Sequence, residues 1–125
     1  MPRRAVTFDT VREIGLAFPD VEESAAYGAP ALKVRGRMFA CMATNKSAAA
    51  NSLCVQIGFD ERDELIAADP AVYYLTEHYV DYPTVLVRLD RIRRDALADL
   101  LLAAHRRAAA LPRRSNRRGR KRSRR

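Results

Sequence analysis

Two cysteines, two histidines and one acidic cluster carry most of the potential chemistry in this sequence, and their spacing limits what they can do. Cys41 and Cys54 are 13 residues apart, and His78 and His105 are 27 apart. Neither is a metal-ligand spacing: no CxxC, HxxxH or HExxH occurs, and such short spacings are what bring two ligands onto one turn or helix face. No GxSxG elbow is present to expose a nucleophilic serine, and neither cysteine has a histidine at a recognisable family spacing. Asp60, Glu61, Asp63 and Glu64 sit together at a predicted helix start, where capping and the helix dipole account for carboxylates. Gly28 and Gly36 each serve a turn rather than a phosphate loop. The expectation is therefore no catalytic residue, no metal site, no cofactor and no enzymatic activity. Cys41 and Cys54 are expected to be reduced core thiols on neighbouring strands.

Three features suit binding instead. The first is the hairpin KVRGR, in which Lys33, Arg35 and Arg37 alternate with other residues and are expected to point to one side, as a basic wing against a phosphate backbone. Basic residues that block edge-to-edge strand pairing are the alternative. The second is the aromatic run Tyr73, Tyr74, His78, Tyr79 and Tyr82. It would line a ligand surface or stack on bases, or else cover the sheet edge and use its hydroxyls for local hydrogen bonds. The third is the run PRRSNRRGRKRSRR at 112–125. It holds Arg113, Arg114, Arg117, Arg118, Arg120, Lys121, Arg122, Arg124 and Arg125 and no acidic residue. Such a run associates with polyanions without reading base sequence, or serves as a solubilising extension.

That run also explains the overall charge. The chain has 23 Lys+Arg against 15 Asp+Glu, a formal +8. Setting aside the nine cations of 112–125 leaves 14 basic residues against 15 acidic ones, a net −1 for residues 1–111. The 125 residues are 48% hydrophobic, enough for one globular domain with its own core. No apolar run approaches the ~18–20 residues of a membrane helix. The opening MPRRAVTFD lacks the apolar stretch of a signal peptide, so a cytoplasmic location is expected.

The elements that must position these residues follow from periodicity. Residues 1–6 are expected to be a flexible start, 7–111 the domain, and 112–125 a disordered basic tail. Thr7 is a predicted N-cap for a helix over about 8–17, with Phe8, Val11, Ile14, Leu16 and Phe18 as its apolar stripe and Pro19 as its stop. Ser24–Tyr27 is predicted to be a short extended piece, followed by strands at 31–35, 37–44 and 52–57, with Gly36 at a tight hairpin turn needing positive φ. Asp60 is predicted to cap a second helix that Pro70 ends. Strands at 73–75 and 84–89 and a helix over 94–110 complete the order α-β-β-β-β-α-β-β-α. This predicts an α+β fold: an antiparallel β-sheet with helices packed on one face.

The blocks FPDVEES, YGAPALKVRGRMFA (27–40) and IGFDERDELIAADPAVYYLTEHYVDYPTVLVRL (57–89), followed by the last helix, resemble the MmcQ/YjbR family of small bacterial proteins over roughly residues 7–108. The resemblance implies a CyaY-like or "double-wing" fold and an assignment as a non-enzymatic DNA-binding protein without cofactor. The positions matching the family pattern are Tyr27, Gly28, Pro30, Lys33, Phe39, Asp60, His78, Tyr82, Pro83 and Arg88. Of these, Gly28 and Pro30 would set backbone geometry, Phe39 would pack, and Lys33, His78, Tyr82 and Arg88 would present a surface. The NKSAAAN loop and the Arg-rich run are not family features. Two functional expectations follow. One is DNA binding through the basic tail, helped by Lys33, Arg35, Arg37 and Arg88. The other is binding of a protein or small ligand at the Tyr/His cluster.

Overall fold

A computed structural model describes residues 6–26 and 28–111. Tyr27 and the basic run from Pro112 onward, with its candidate phosphate contacts Arg113, Arg114, Arg117, Arg118, Arg120, Lys121 and Arg122, lie outside the described residues.

Thr7 caps helix α1 (Phe8–Gly15) through a capping box with Thr10, and Asp9 occupies the first turn, where backbone N–H groups and the dipole favour it. The helix ends two residues earlier than the periodicity suggests. Ala17 N–H bonds Ile14 O at 3.3 Å and Phe18 N–H bonds Gly15 O at 3.1 Å, tightening the last turn. That turn leaves Leu16 exposed, so Leu16 is not part of the buried stripe, while Phe18 still packs against the core.

Strands β1 (Val21–Ala26), β2 (Ala29–Val34), β3 (Arg37–Met42) and β4 (Ser52–Gln56) follow as an antiparallel meander. β1 is longer than the extended piece predicted. It is an edge strand whose Glu22 and Glu23 are exposed, so it shows no apolar alternation, and charges on it guard the free edge. Arg12 of α1 ties β1 down, donating from Nε to Glu23 at 2.9 Å.

Helix α2 (Phe59–Ala68) starts at Gly58, not Asp60, because Arg62 N–H already bonds Gly58 O at 2.9 Å. Asp60 lies inside the first turn, near the positive end of the dipole. The short β5 (Tyr73–Tyr74), then β6 (Thr84–Arg88) and helix α3 (Arg94–Ala110) complete the chain. The six strands lie in the order β1-β2-β3-β4-β6-β5, every pairing antiparallel.

The sheet has two unlike faces because side chains alternate along each strand. Leu32, Phe39, Leu53, Val55, Val85 and Val87 point to α1 and α3 and are almost fully buried there. His105 of α3 is buried with them. Its Nε2 lies 2.8 Å from Pro19 O, and its ring meets Phe18 at 5.2 Å and Phe39 at 5.7 Å. Among the described residues, no helix packs on the central strands of the opposite face. Its centre is a row of register partners running Ala31, Cys41, Cys54, Leu86 and Tyr74 across five strands. Two loops flank this row: 43–51, containing NKSAAAN, and 75–83. No described helix is long and apolar enough to cross a membrane.

Candidate ligand-binding pocket

The open face holds a cavity of about 540 Å³, within the ~300–1,000 Å³ range of small-molecule sites. Strands β3, β4 and β6 supply its floor through Cys41, Cys54 and Thr84, and His78, Tyr79 and Tyr82 form a wall. The floor follows from the register: Cys41 opposes Cys54, and Gln56 opposes Thr84, so these side chains emerge on one face.

The wall is held by hydrogen bonds between its loops. Tyr79 OH accepts from Asn45 N–H at 3.4 Å, Tyr74 OH accepts from Ala49 N–H at 2.8 Å, and the Tyr74 and Ser52 hydroxyls lie 2.5 Å apart. Ser47 Oγ meets Thr76 Oγ1 at 2.7 Å, joining the 43–51 and 75–83 loops directly. The His78 and Tyr79 rings stack edge-to-face at 4.7 Å. Burial pushes the Tyr79 hydroxyl above its ordinary pKa, against the lowering effect of its backbone hydrogen bond.

Arg62 is the residue that sequence reasoning missed. Its side chain is 9% exposed. Nη1 donates to Val80 O at 2.9 Å and Tyr82 O at 3.1 Å, and Nε meets Asp63 at 3.2 Å. Its guanidinium also lies 4.8 Å from the Phe59 ring centre. One guanidinium thus holds the outer wall of the pocket to α2, Nη1 reaching both wall carbonyls while Nε reaches Asp63 on the helix itself. The available signal was a lone arginine inside the acidic run Asp60–Glu64, on the α2 side facing the sheet.

The predicted aromatic cluster is divided. Tyr73 and Tyr74 are consecutive residues of one strand and must face opposite ways. Tyr73 is buried in the helix-side core, and its hydroxyl is pushed above the usual tyrosine value by burial first, then by Asp69 and Asp99. Tyr74 lies on the open face outside the cavity lining and holds the 43–51 loop. His78, Tyr79 and Tyr82 form the pocket wall, and Tyr82 is 57% exposed.

The basic residues are not brought onto one side. Val34 opposes Arg37, whereas Lys33 opposes Met38 on the pocket face. Arg37 therefore shares the side of core residue Val34, and Arg35 sits at the turn. The physical reason is a two-residue turn in which Arg35 (φ 55) and Gly36 (φ 83) are both left-handed, the type I′ geometry. A register shift between Leu32 and Lys33 also leaves Phe39 as an extra residue in β3. Lys33 has Glu22 opposite it on β1. Arg88 lies three strands from Lys33, roughly 14 Å across the sheet, at the other end of the face, with its guanidinium 3.9 Å from the Tyr74 ring centre.

Cys41 and Cys54 are both free and buried. Cys54 Sγ lies 3.0 Å from Thr84 Oγ1, and the Thr84 hydroxyl donates to Val55 O at 3.0 Å. Hydrogen bonding from Cys41 holds the Cys54 thiol below its ordinary value, with Thr84 adding to this and burial opposing it. The same contact, with burial, pushes Cys41 up. Among the described residues, no group of three or more His, Cys, Asp or Glu side chains could hold a metal ion.

This architecture has known counterparts. The Deinococcus radiodurans protein DR2400, whose domain is described as DUF419, has a crystal structure that superposes with a TM-score of 0.64 at 22% sequence identity, covering 84% of this chain and 80% of that one. The likeness shows a shared fold. Among curated proteins, none matches the chain in sequence. The sequence model described as YjbR matches residues 16–107, from the residue that follows α1 through nearly all of α3. The chain belongs to the YjbR family.

Proposed function

We propose that this protein is a binding domain, not a catalyst, that takes up a small, flat and largely apolar molecule on the open face of its sheet. The observation carrying this reading is the cavity of about 540 Å³ with Tyr79 and Tyr82 as its aromatic wall. A ring would lie against these tyrosines, and Gln56, Asn45 and His78 offer the few polar contacts that fix orientation. The test is a thermal-shift titration with indole, p-cresol and adenine against the full chain and an Ala43→Leu variant, which places extra carbon in the cavity. A ligand present at 100 times its Kd stabilises by about 2.7 kcal/mol. Stabilisation of the parent chain and not of the variant supports the reading. Equal shifts, or none at millimolar probe, contradict it.

A second reading is favoured by one observation, the nine cations and no acid among residues 112–125. We propose that this run binds DNA through its phosphates in a sequence-independent way, placing the protein in the cytoplasm with the nucleoid. With log K falling by about 0.9 per log unit of salt for each phosphate neutralised, full engagement gives a slope near −8. A chain ending at Leu111 is expected to lose binding at physiological salt. Retained binding would assign it to the body, and Lys33→Ala with Arg35→Ala would then test the hairpin.

A further inference from the structure

The pocket floor contains both cysteines of the chain, and their placement is more specific than core packing requires. Cys41 on β3 is the direct register partner of Cys54 on β4. Ala43 N–H bonds Ser52 O at 2.9 Å two residues along the same register, so the cysteines occupy a hydrogen-bonded pair position, where antiparallel Cα atoms lie about 5.5 Å apart. This falls inside the window of roughly 4.4–6.8 Å that a disulfide spans, while the Cβ atoms, about 5.5 Å apart at such a pair, must draw in to about 3.5–4.5 Å as the bond forms. Both side chains face the cavity, which gives a small polar oxidant a route to sulfurs that are otherwise buried.

We propose that Cys41 and Cys54 form a peroxide-reactive dithiol, in which hydrogen peroxide entering the pocket oxidises Cys54 and Cys41 then closes an intramolecular disulfide across β3 and β4. In the first step the Cys54 thiol gives up its proton, and its sulfur attacks one peroxide oxygen. The O–O bond breaks, and the departing hydroxide takes up that proton and leaves as water. Cys54 is then a sulfenic acid. In the second step the Cys41 sulfur attacks the Cys54 sulfur. The S–S bond forms, the S–O bond breaks, and the oxygen leaves as a second water with the Cys41 proton. The two sulfurs together lose two electrons, and the peroxide gains them.

The hydrogen bonds set the order of events. In the resting dithiol the Thr84 hydroxyl donates to Val55 O, and Cys54 S–H can donate to Thr84 Oγ1. When Cys54 ionises, both Cys41 S–H and the Thr84 hydroxyl can turn toward it as donors. Among the described residues no hydroxyl sits against Cys41 as Thr84 sits against Cys54, and the Cys41 thiol is pushed up by Cys54 and burial. Cys54 is therefore the sulfur attacked by peroxide first, and Cys41 resolves it.

The experiment uses the full reduced chain. After treatment with hydrogen peroxide, thiols are counted under denaturing conditions and the intact mass is measured. Both thiols are expected to disappear together, with the mass falling by two hydrogen atoms and the chain remaining a monomer without reductant. With dimedone present, the Cys41→Ser variant is expected to trap a sulfenic acid at Cys54. Labelling of Cys41 in Cys54→Ser should be at least tenfold slower, the direction set by thiolate access. Disulfide-linked dimers, direct passage to sulfinic acid without a disulfide, or thiols that persist where free glutathione is consumed would each overturn the proposal. Equal labelling of the two variants would overturn the assigned order. The stoichiometry of the parent chain decides the matter even if a variant fails to fold.

Discussion

Replacing Arg62 with alanine tests how the pocket wall is held. The side chain is 9% exposed and bridges α2 to the carbonyls of Val80 and Tyr82 at 2.9 and 3.1 Å. A hydrogen bond from a charged donor contributes about 1.5–3 kcal/mol when buried. Val80 and Tyr82 are exposed residues, so water replaces part of each lost bond, and about 1 kcal/mol apiece is the better figure. The apolar stem, packed under the loop, adds about 1 kcal/mol. The expected loss is about 3 kcal/mol, or about 12 °C in Tm at roughly 4 °C per kcal/mol for a domain of this size. Arg62→Lys keeps the charge without the planar fork and should lose about half as much. Thermal unfolding by circular dichroism measures the cost, and amide exchange at Tyr79 and Tyr82 locates it. A Tm change within about 2 °C with unaltered exchange would mean that the tyrosine hydroxyl contacts hold the wall without Arg62.

Other consequences are accessible to the same methods. Arg35→Asn, at the left-handed turn position, should raise stability by part of the roughly 1–2 kcal/mol that this conformation costs an ordinary residue, since asparagine tolerates it better; a chemical-denaturation midpoint that falls refutes the turn assignment. Phe39→Ala removes a fully buried ring that also contacts His105, and should cost about 3–5 kcal/mol by denaturant unfolding. The raised hydroxyls of Tyr73 and Tyr79 predict an alkaline limit. Both remain protonated longer folded than unfolded, so their contribution is full below the ordinary tyrosine value near pH 10 and is lost as pH rises through the folded values. Tyr73→Phe should flatten the stability loss above pH 10, and an unchanged alkaline profile would show that Tyr73 ionises alike in both states.

The order of elements was legible because most of them have a clear period: Leu53, Val55 and Ile57, or Val85, Val87 and Leu89, alternate as half-buried strands must. β1 was only partly legible, since an exposed edge strand has no apolar face to show. The adjacency of Cys41 and Cys54 was readable from consecutive strands. The pocket above them was not, because it depends on where two loops settle and on Arg62, whose partners are main-chain carbonyls without a sequence signature. The division of Tyr73 from Tyr74 needed only the strand period. The sidedness of Lys33 and Arg37 was lost to a turn and a bulge, each of which shifts the alternation locally.

If the open face of the sheet binds a small aromatic molecule, the bound ring perturbs the residues around the pocket. The most direct test is a ¹H–¹⁵N correlation spectrum of the full chain titrated with indole. Saturable shifts are expected at the backbone amides of Cys41, Cys54, Thr84 and residues 78–82, with α1 and α3 unmoved. Shifts spread over the helical face, or a spectrum unchanged at millimolar indole, would contradict binding there.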